Sequence, residues 1–327
     1  MKFFVMSLLL ALTIYCYLSE RNLDSTTATV IYYDELLNLS EEDFVTGERL
    51  AELSDVAFYT REYISDYPSV KLHAKNIVLL NEALSDQTKD VIVRSCIFFI
   101  KPDWLELFIR DYLPIIPQSF VLITHLSDTS AGTSSELLQH PKLQSWYGCN
   151  MHPQFKTRSV PIGLENADMW QRTKFSEITK ARTRIKSKLL YVYFNVQSNL
   201  KTRSRAFTEL TGNGFEVQER EAWSSYIKDL SSYKFCASPE GNGVDTHRMW
   251  ECLYLGVIPI VIKTPELYFW YSELPVLWIK SFKDVTPEFL RKVQIIREHK
   301  MTKDSNPGLY SMSLIRSSLH AEVEGSL

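Results

Sequence analysis

The chain has 327 residues, and its 36 lysines and arginines against 39 aspartates and glutamates leave a net charge of −3. A nucleic-acid binder that works by bulk electrostatics is normally basic, so this charge argues against nucleic acid as a partner. Apolar residues make up 45% and charged residues 23%, which excludes disorder, collagen and coiled coil as descriptions of the whole chain. At roughly 100–200 residues per domain, the length predicts two domains or one large one.

The N-terminus begins with an uncharged apolar run of 17 residues, 3–19 (FFVMSLLLALTIYCYLS). Its length lies between a signal-peptide core, about 7–15 residues, and a membrane-spanning helix, about 17–25. The residues after Leu12 are bulky and offer no small-residue cleavage site, and Lys2 precedes the run. The pattern predicts an uncleaved signal anchor over residues 1–21, in a single-pass type II orientation with the rest of the chain lumenal. A cleaved signal peptide and a secreted protein form the alternative.

In a lumenal protein, N-glycosylation sequons can be modified and cysteines can form disulfides, so both features are relevant to this chain. Asn38-Leu39-Ser40 is the only N-glycosylation sequon. Four of the five cysteines follow the anchor and permit zero, one or two disulfides, and their spacing matches no metal motif: Cys96, Cys149, Cys236 and Cys252.

Residues 22–74 are polar, with helical stretches such as 41–53, and are predicted to form a stem and the start of the first domain. From about residue 75 strands and helices alternate. Over residues 75–169 the sequence predicts strands at 76–81, 96–101, 119–125 and 159–164, and helices at 102–113 and 137–146. A charged helical connector without a long apolar run follows at 170–187.

The alternation restarts over residues 188–300. The sequence predicts strands at 188–195, 214–217, 234–238, 257–263 and 275–280, and helices at 201–210, 222–230, 245–255 and 286–299. The remaining tail, 301–327, is predicted to fray at its end. Two series of alternating elements predict an α/β fold with two Rossmann-like domains and parallel sheets. Ligands in such folds bind at the carboxyl ends of the strands.

The most informative stretch is 233–263 (YKFCASPEGNGVDTHRMWECLYLGVIPIVIK), which is patterned as strand, glycine loop, helix and strand. Gly241 and Gly243 allow the loop to approach a ligand closely. Asp245 or Thr246 can cap the following helix, whose N-terminus is an anion site.

Arg248 and Glu251 are three residues apart and share one face of that helix. A guanidinium beside a helix N-terminus suits a diphosphate, and a carboxylate one turn further on can accept hydrogen bonds from a ribose diol. An ion pair within the helix on a solvated face is the alternative interpretation.

The segment resembles the C-terminal motif of exostosin-type glycosyltransferases, a Phe-Cys-x-x-Pro-x-Gly strand and loop before a helix with Arg and Glu, then Gly-x-x-Pro. The matching residues are Phe235, Cys236, Pro239, Gly241, Asp245, His247, Arg248, Glu251, Gly256 and Pro259. Two other stretches are similar to this family: 193–205, with Asn195, Asn199 and Arg203, and 143–164, with Trp146, Asn150 and the Pro161-Ile162-Gly163 turn. The resemblance covers roughly residues 95–295.

The resemblance implies a GT-B architecture, in which two Rossmann-like domains face each other across a cleft. The domain at 188–300 would bind a nucleotide-diphospho-sugar and the domain at 75–169 a glycan or glycoprotein acceptor, in the Golgi or ER. The resemblance places the donor at Arg203, Gly241, Asn242, Gly243, His247, Arg248 and Glu251. The sequence contains no Asp-x-Asp motif. We therefore predict metal-independent transfer without a cofactor, in which the arginines stabilise the leaving diphosphate.

An inverting enzyme, which the resemblance favours, also needs a base for the acceptor hydroxyl. Asp128 and His125, at the end of the strand at 119–125, are the predicted catalytic residues, with Asp128 ranked first. Glu165, after the strand at 159–164, is a further candidate. Each could instead be a solvated acid or a structural histidine.

Three other interpretations compete with this one. The first is a non-catalytic, carbohydrate-binding or partner subunit on the same scaffold. The second is a fucosyltransferase-like enzyme with a GDP-sugar donor. A dehydrogenase ranks low, because the glycines stop at Gly243 and position 246 is threonine rather than the third glycine of a dinucleotide-binding loop.

Overall fold

The computed structural model describes residues 28–165, 171–298 and 310–324. The predicted anchor at residues 1–21 lies outside these ranges. Within them, no helix is both long enough and apolar enough to cross a membrane.

The strands are β1 (Thr29–Tyr33), β2 (Val56–Tyr59), β3 (Ile77–Leu79), β4 (Ile97–Ile100), β5 (Phe120–Thr124), β6 (Leu143–Gly148), β7 (Thr157–Ser159), β8 (Lys188–Tyr191), β9 (Tyr233–Ala237), β10 (Ile258–Ile262), β11 (Leu277–Ile279) and β12 (Gln294–Glu298). The helices are α1 (Asp34–Leu37), α2 (Gly47–Glu52), α3 (Arg61–Asp66), α4 (Val70–His73), α5 (Asp86–Arg94), α6 (Leu105–Leu107), α7 (Ser135–Gln139), α8 (Gln171–Ala181), α9 (Leu200–Gly212), α10 (Trp223–Leu230), α11 (His247–Leu255), α12 (Pro265–Tyr271), α13 (Pro287–Lys292) and α14 (Met312–Glu324).

The first sheet has six parallel strands in the order β3-β2-β4-β5-β6-β7. Its central strands are buried on both faces. Phe58, Phe98 and Leu122 belong to one hydrophobic cluster, whereas Phe99 and Ile123 belong to another. Alternate residues of a strand point to opposite faces, so both faces of this sheet are covered, as parallel sheets require.

The second sheet has four parallel strands in the order β11-β10-β9-β8. Helix α11 connects β9 to β10 and ends at Gly256, whose φ of 71° is left-handed. The predicted α/β class with parallel sheets is therefore confirmed.

The elements near the two ends of the described chain pack against parts of the chain that are distant in sequence. Strand β1 pairs in parallel with β12, far along the sequence. Helix α14 then packs its buried Met312, Ile315 and Leu319 against the first sheet's second cluster. The Tyr147 hydroxyl on β6 donates to Oε1 of Glu322 at 2.9 Å. Residues 312–324 of the tail thus form a helix on one face of the first sheet, which the sequence analysis did not predict; the end of the tail, where fraying was predicted, lies outside the described residues.

Several element predictions are also corrected. The stretch at 137–146 is not one helix: α7 ends at Gln139 and β6 begins at Leu143. Pro141 explains the break. Helical backbone is disfavoured for the residue before a proline, and the proline itself interrupts the helix. Pro102 to Ile115 is helical but broken into 3-10, α and π segments.

Three further predictions differ at strand ends. Residues 160–164 continue beyond β7 without strand pairing, since Pro161 has no N–H and Gly163 has a φ of 69°. Residues 214–217 form no strand, and Gly214 lies in a turn with a left-handed φ of 84°. The helix at 286–299 stops at Lys292, and the β-branched residues after it form β12.

The first sheet begins earlier than residue 75, because β2 lies between β3 and β4. Helix α8 of the predicted connector contacts both α10 and α11. Among the cysteines that the structure describes, all four are free thiols: Cys96, Cys149, Cys236 and Cys252.

Candidate functional site

A cavity of about 480 Å³ opens at the carboxyl ends of β8 and β9. The second sheet lines it with the residues that follow those strands, the glycine loop at 239–243 and the N-terminal turn of α11. The first sheet contributes Asp128, Ile162 and Glu165. All the predicted site residues except His125 line the cavity: Asp128, Arg203, Gly241, Asn242, Gly243, His247, Arg248 and Glu251.

Arg203 anchors the glycine loop through hydrogen bonds to main-chain carbonyls. Its Nε donates to the carbonyl of Glu240 at 3.0 Å, and its Nη1 donates to the carbonyl of Asn195 at 2.8 Å. A Cβ on Gly241 would lie 3.0 Å from Nη2 of Arg203, so the glycine lets the loop lie against the guanidinium. Burial, and then the charge of Arg248, lower the pKa of Arg203. Both arginines line the same cavity, an arrangement suited to a diphosphate.

Arg248 and Glu251 form a buried pair rather than the solvated pair considered from the sequence. Nε of Arg248 lies 3.4 Å from Oε2 of Glu251, and the two side chains are 19% and 9% exposed. The Arg248 Nη1 donates to the carbonyl of Tyr193 at 2.5 Å. Burial works against the charge of Arg248, but acidic groups packed around it, among them the carboxylate of Glu251, raise its pKa. The arginine stays charged at the cavity wall.

Tyr226 on α10 completes this pair. Its hydroxyl donates to Oε2 of Glu251 at 2.5 Å, and its ring lies 4.8 Å from Cζ of Arg248. Burial raises the pKa of Tyr226 well above its ordinary value, so the phenol keeps its proton and acts as a donor. Glu251 is therefore oriented by a tyrosine that lies 25 residues away in sequence.

The N-terminus of α11 faces the cavity. Thr246 caps it, since its side chain accepts from the N–H of Met249. Asp245 lies just before it and is 3% exposed. Its Oδ1 accepts from Nε1 of Trp250 at 2.7 Å and its Oδ2 from the N–H of Ile162 at 2.8 Å. Burial raises the pKa of Asp245 to about 6.

The turn at 161–163 is where the two halves of the site meet. Nδ1 of His247 donates to the carbonyl of Gly163 at 2.8 Å, beside the bond from Ile162 to Asp245. Asn242 makes another link, because its Nδ2 donates to Oδ2 of Asp128 at 3.1 Å. The glycine loop and α11 are therefore joined to the first sheet across the cavity.

The structure places His125 away from the cavity surface. It is 1% exposed, and its Nε2 donates to the carbonyl of Pro161 at 2.9 Å. Burial lowers its pKa to about 4, so it is neutral at physiological pH. His125 cannot reach an acceptor from this position, and the catalytic role that we predicted for it is corrected to a structural one.

Several residues of the site were not singled out from the sequence as ligand contacts. Tyr226 orients Glu251, Asp245 joins the two halves, and Arg220 lines the cavity with Ser198 and Phe194. Asp245 is one of the residues that match the exostosin-type motif, so its place in that motif could have indicated a role in the site. Tyr226 lies in the helix predicted at 222–230, where its neighbours Ile227 and Leu230 are also buried, and no residue near it in sequence indicates that its hydroxyl would bind a carboxylate.

The arrangement is suited to a large anionic ligand. The guanidiniums of Arg203, Arg220 and Arg248 and the N-terminus of a nine-residue helix line one cavity, and carboxylates from the first sheet line its other side. Within residues 28–165, 171–298 and 310–324, no cluster of histidine, cysteine and carboxylate side chains could hold a metal ion.

Comparison with the profiles of known protein families finds no match. A search of curated protein sequences likewise finds no significant relative.

Proposed function

We propose that this protein is a glycosyltransferase that moves a sugar from a nucleotide-diphospho-sugar to a glycan hydroxyl. One observation carries the proposal: a single cavity brings Arg203, Arg248 and the N-terminus of α11 opposite Asp128 and Glu165. Its volume of about 480 Å³ falls in the range of small-molecule sites, ~300–1,000 Å³.

In this proposal the second sheet binds the donor. The diphosphate lies at the N-terminus of α11 between Arg203 and Arg248, and the ribose hydroxyls donate to Glu251. The glycine loop, with Asn242, covers the phosphates and the sugar, and His247 lies beside them. The two sheets then correspond to the two domains of a GT-B enzyme.

Transfer needs a base on the acceptor side and charge stabilisation on the donor side. A carboxylate of the first sheet takes the proton from the acceptor hydroxyl, whose oxygen attacks the anomeric carbon from the face opposite the diphosphate. The bond between that carbon and the diphosphate breaks, and the arginines and the helix dipole stabilise the charge that develops on the leaving group. We propose inverting, metal-independent transfer by this route.

Nucleotide binding tests the proposal most directly. The full chain in detergent is heated with UDP, GDP and their sugars, and its unfolding temperature is compared with that of Arg203→Ala and Arg205→Ala. Arg205 is the matched control, because it lies two positions along the same helix and pairs with Glu209 at 2.7 Å on the exposed side.

We expect one nucleotide class to stabilise the wild type and Arg205→Ala but not Arg203→Ala. The stabilising nucleotide would then separate a UDP-sugar enzyme from a fucosyltransferase-like enzyme that uses GDP. A folded wild type that no nucleotide stabilises would contradict the proposal and favour the non-catalytic scaffold.

A further inference from the structure

Five consecutive residues of the first half, 160–164, are each held by a hydrogen bond to a different part of the chain. The partners, in order, are the carbonyl of Gly148 (3.0 Å), Nε2 of His125 (2.9 Å), Oδ2 of Asp245 (2.8 Å), Nδ1 of His247 (2.8 Å) and the carbonyl of Val45 (2.8 Å). Loops are usually held at a few points and move between them. This segment is instead braced at every residue, and we call it the braced segment.

Two of the five braces come from the turn at the start of α11: Asp245 lies just before the N-cap, and His247 is the first helical residue. This is the turn that lines the donor half of the cavity. Glu165 follows the braced segment directly and lines the same cavity from the other side. The backbone that carries Glu165 is therefore attached to the helix that faces the donor.

The other carboxylate of the first sheet has a different setting. Asp128 lies in an exposed loop, and its Oδ2 accepts from Nδ2 of Asn242 in the glycine loop. That bond makes Asp128 an anchor for the loop. Asp128 and Glu165 are both exposed, but the five residues directly before Glu165 are each held by a hydrogen bond. A group that removes a proton must hold its position to about 0.5 Å, which the braced segment favours for Glu165.

On the basis of the proposed function, we propose that Glu165 is the base of the transfer and that Asp245 is a positioning residue that acts through the braced segment. The carboxylate of Glu165 takes the proton of the acceptor hydroxyl. The acceptor oxygen forms its bond to the anomeric carbon, and the electron pair of the breaking bond leaves with the nucleoside diphosphate. Asp128 keeps the glycine loop in place over the donor.

The first test compares Glu165→Gln with Asp128→Asn, with transfer and nucleotide binding measured on each. We expect Glu165→Gln to lower kcat by ~100-fold or more, to leave the nucleotide-induced rise in unfolding temperature unchanged, and to remove the acid limb of the pH–rate profile. Asp128→Asn is expected to raise the KM for the donor and to keep that acid limb.

The second test separates positioning from a general structural effect of Asp245. If Asp245 acts through Glu165, Asp245→Asn lowers kcat in the wild type but lowers it no further in the Glu165→Gln background. Equal losses in both backgrounds would show a structural role only and overturn the positioning assignment. Should Asp245→Asn fail to fold, His247→Ala removes the neighbouring brace to Gly163 and is tested in the same two backgrounds.

The outcomes distinguish this inference from the function beneath it. A Glu165→Gln variant with wild-type kcat, or loss of the acid limb in Asp128→Asn instead, overturns the assignment of the base while nucleotide binding and transfer stand. Absence of both nucleotide binding and transfer in the folded wild type overturns the proposed function, and this inference with it.

Discussion

Gly243 and Asn150 meet so closely that a side chain on residue 243 would collide with the amide of Asn150: a Cβ there would lie 2.7 Å from Nδ2. Asn150 follows β6 with a left-handed φ of 48°, and its Oδ1 accepts from the N–H of Asp245 at 2.9 Å. The end of the first sheet and the glycine loop of the second are therefore in direct contact.

Gly243→Ala should destabilise the protein, because the added methyl group must displace the Asn150 amide or the loop. Overpacking of this kind costs typically about 1–3 kcal/mol of unfolding free energy, which urea denaturation measures. Gly212→Ala is the control, since a Cβ at that helical position meets nothing within 4 Å and should be neutral or stabilising. Equal stability of the two variants would show that the contact at Asn150 adapts freely.

Arg248→Ala should lower the unfolding free energy by about 3 kcal/mol, because it leaves the carboxylate of Glu251 buried without its cation. The double variant Arg248→Ala, Glu251→Ala should lose less than the sum of the two single variants. Arg291→Ala provides the control, since its partner Glu288 lies at the same spacing of three residues but both side chains are mostly exposed, 65% and 72%. Additive losses at 248 and 251 would rule out the coupling.

The stability effect at Arg248 also affects the design of binding experiments. A variant that unfolds more easily shows a smaller or shifted thermal transition whether or not it binds a nucleotide. Arg203 has main-chain partners and no buried carboxylate partner among the described contacts, which makes it the better position for testing the donor site.

His125 should make the protein sensitive to acid. The folded protein holds the pKa of His125 at about 4, whereas an unfolded histidine titrates near 6.5. Between these values the unfolded state binds the additional proton, so stability falls as the pH is lowered. Linkage gives a loss of about 2 kcal/mol between pH 7 and pH 5.

His125→Gln removes the titrating group and retains an amide that can donate to the carbonyl of Pro161. We expect the difference in unfolding free energy between wild type and variant to shift in favour of the variant as the pH falls from 7 to 5, as followed by denaturation at each pH. A difference that is constant across this range would show that His125 titrates normally in the folded state.

Ile315→Ala should destabilise the protein by about 2–4 kcal/mol, because Ile315 is fully buried where α14 covers the first sheet. Its neighbour Leu314 is 37% exposed, and Leu314→Ala should change the unfolding free energy little. Thermal or urea unfolding of the two variants makes the comparison. Equal effects would mean that α14 does not pack as described.

Much of the second sheet was predictable because its signals are local. The strands at 233–237 and 258–262 are short apolar runs, the helix between them has a capping threonine, and Gly256 ends it. The wrong prediction of one helix at 137–146 also depended on local residues. The apolar spacing suggested a helix, although Pro141 marks the break. Helix α14 was missed because its buried face is narrow and its partner lies in the first sheet.

By itself, the sequence determined the alternation of strands and helices, the glycine loop and the charged residues at the start of α11, because these depend on residues a few positions apart. Only the tertiary structure decided which side chains face the cavity. The bond between Asp245 and Ile162 spans 83 positions, and the bond between Asn242 and Asp128 spans 114. Contacts at such separations depend on how two sheets pack together, and local periodicity carries no information about that packing. For the same reason, His125 and Asp128, three residues apart at the end of one strand, face different surroundings.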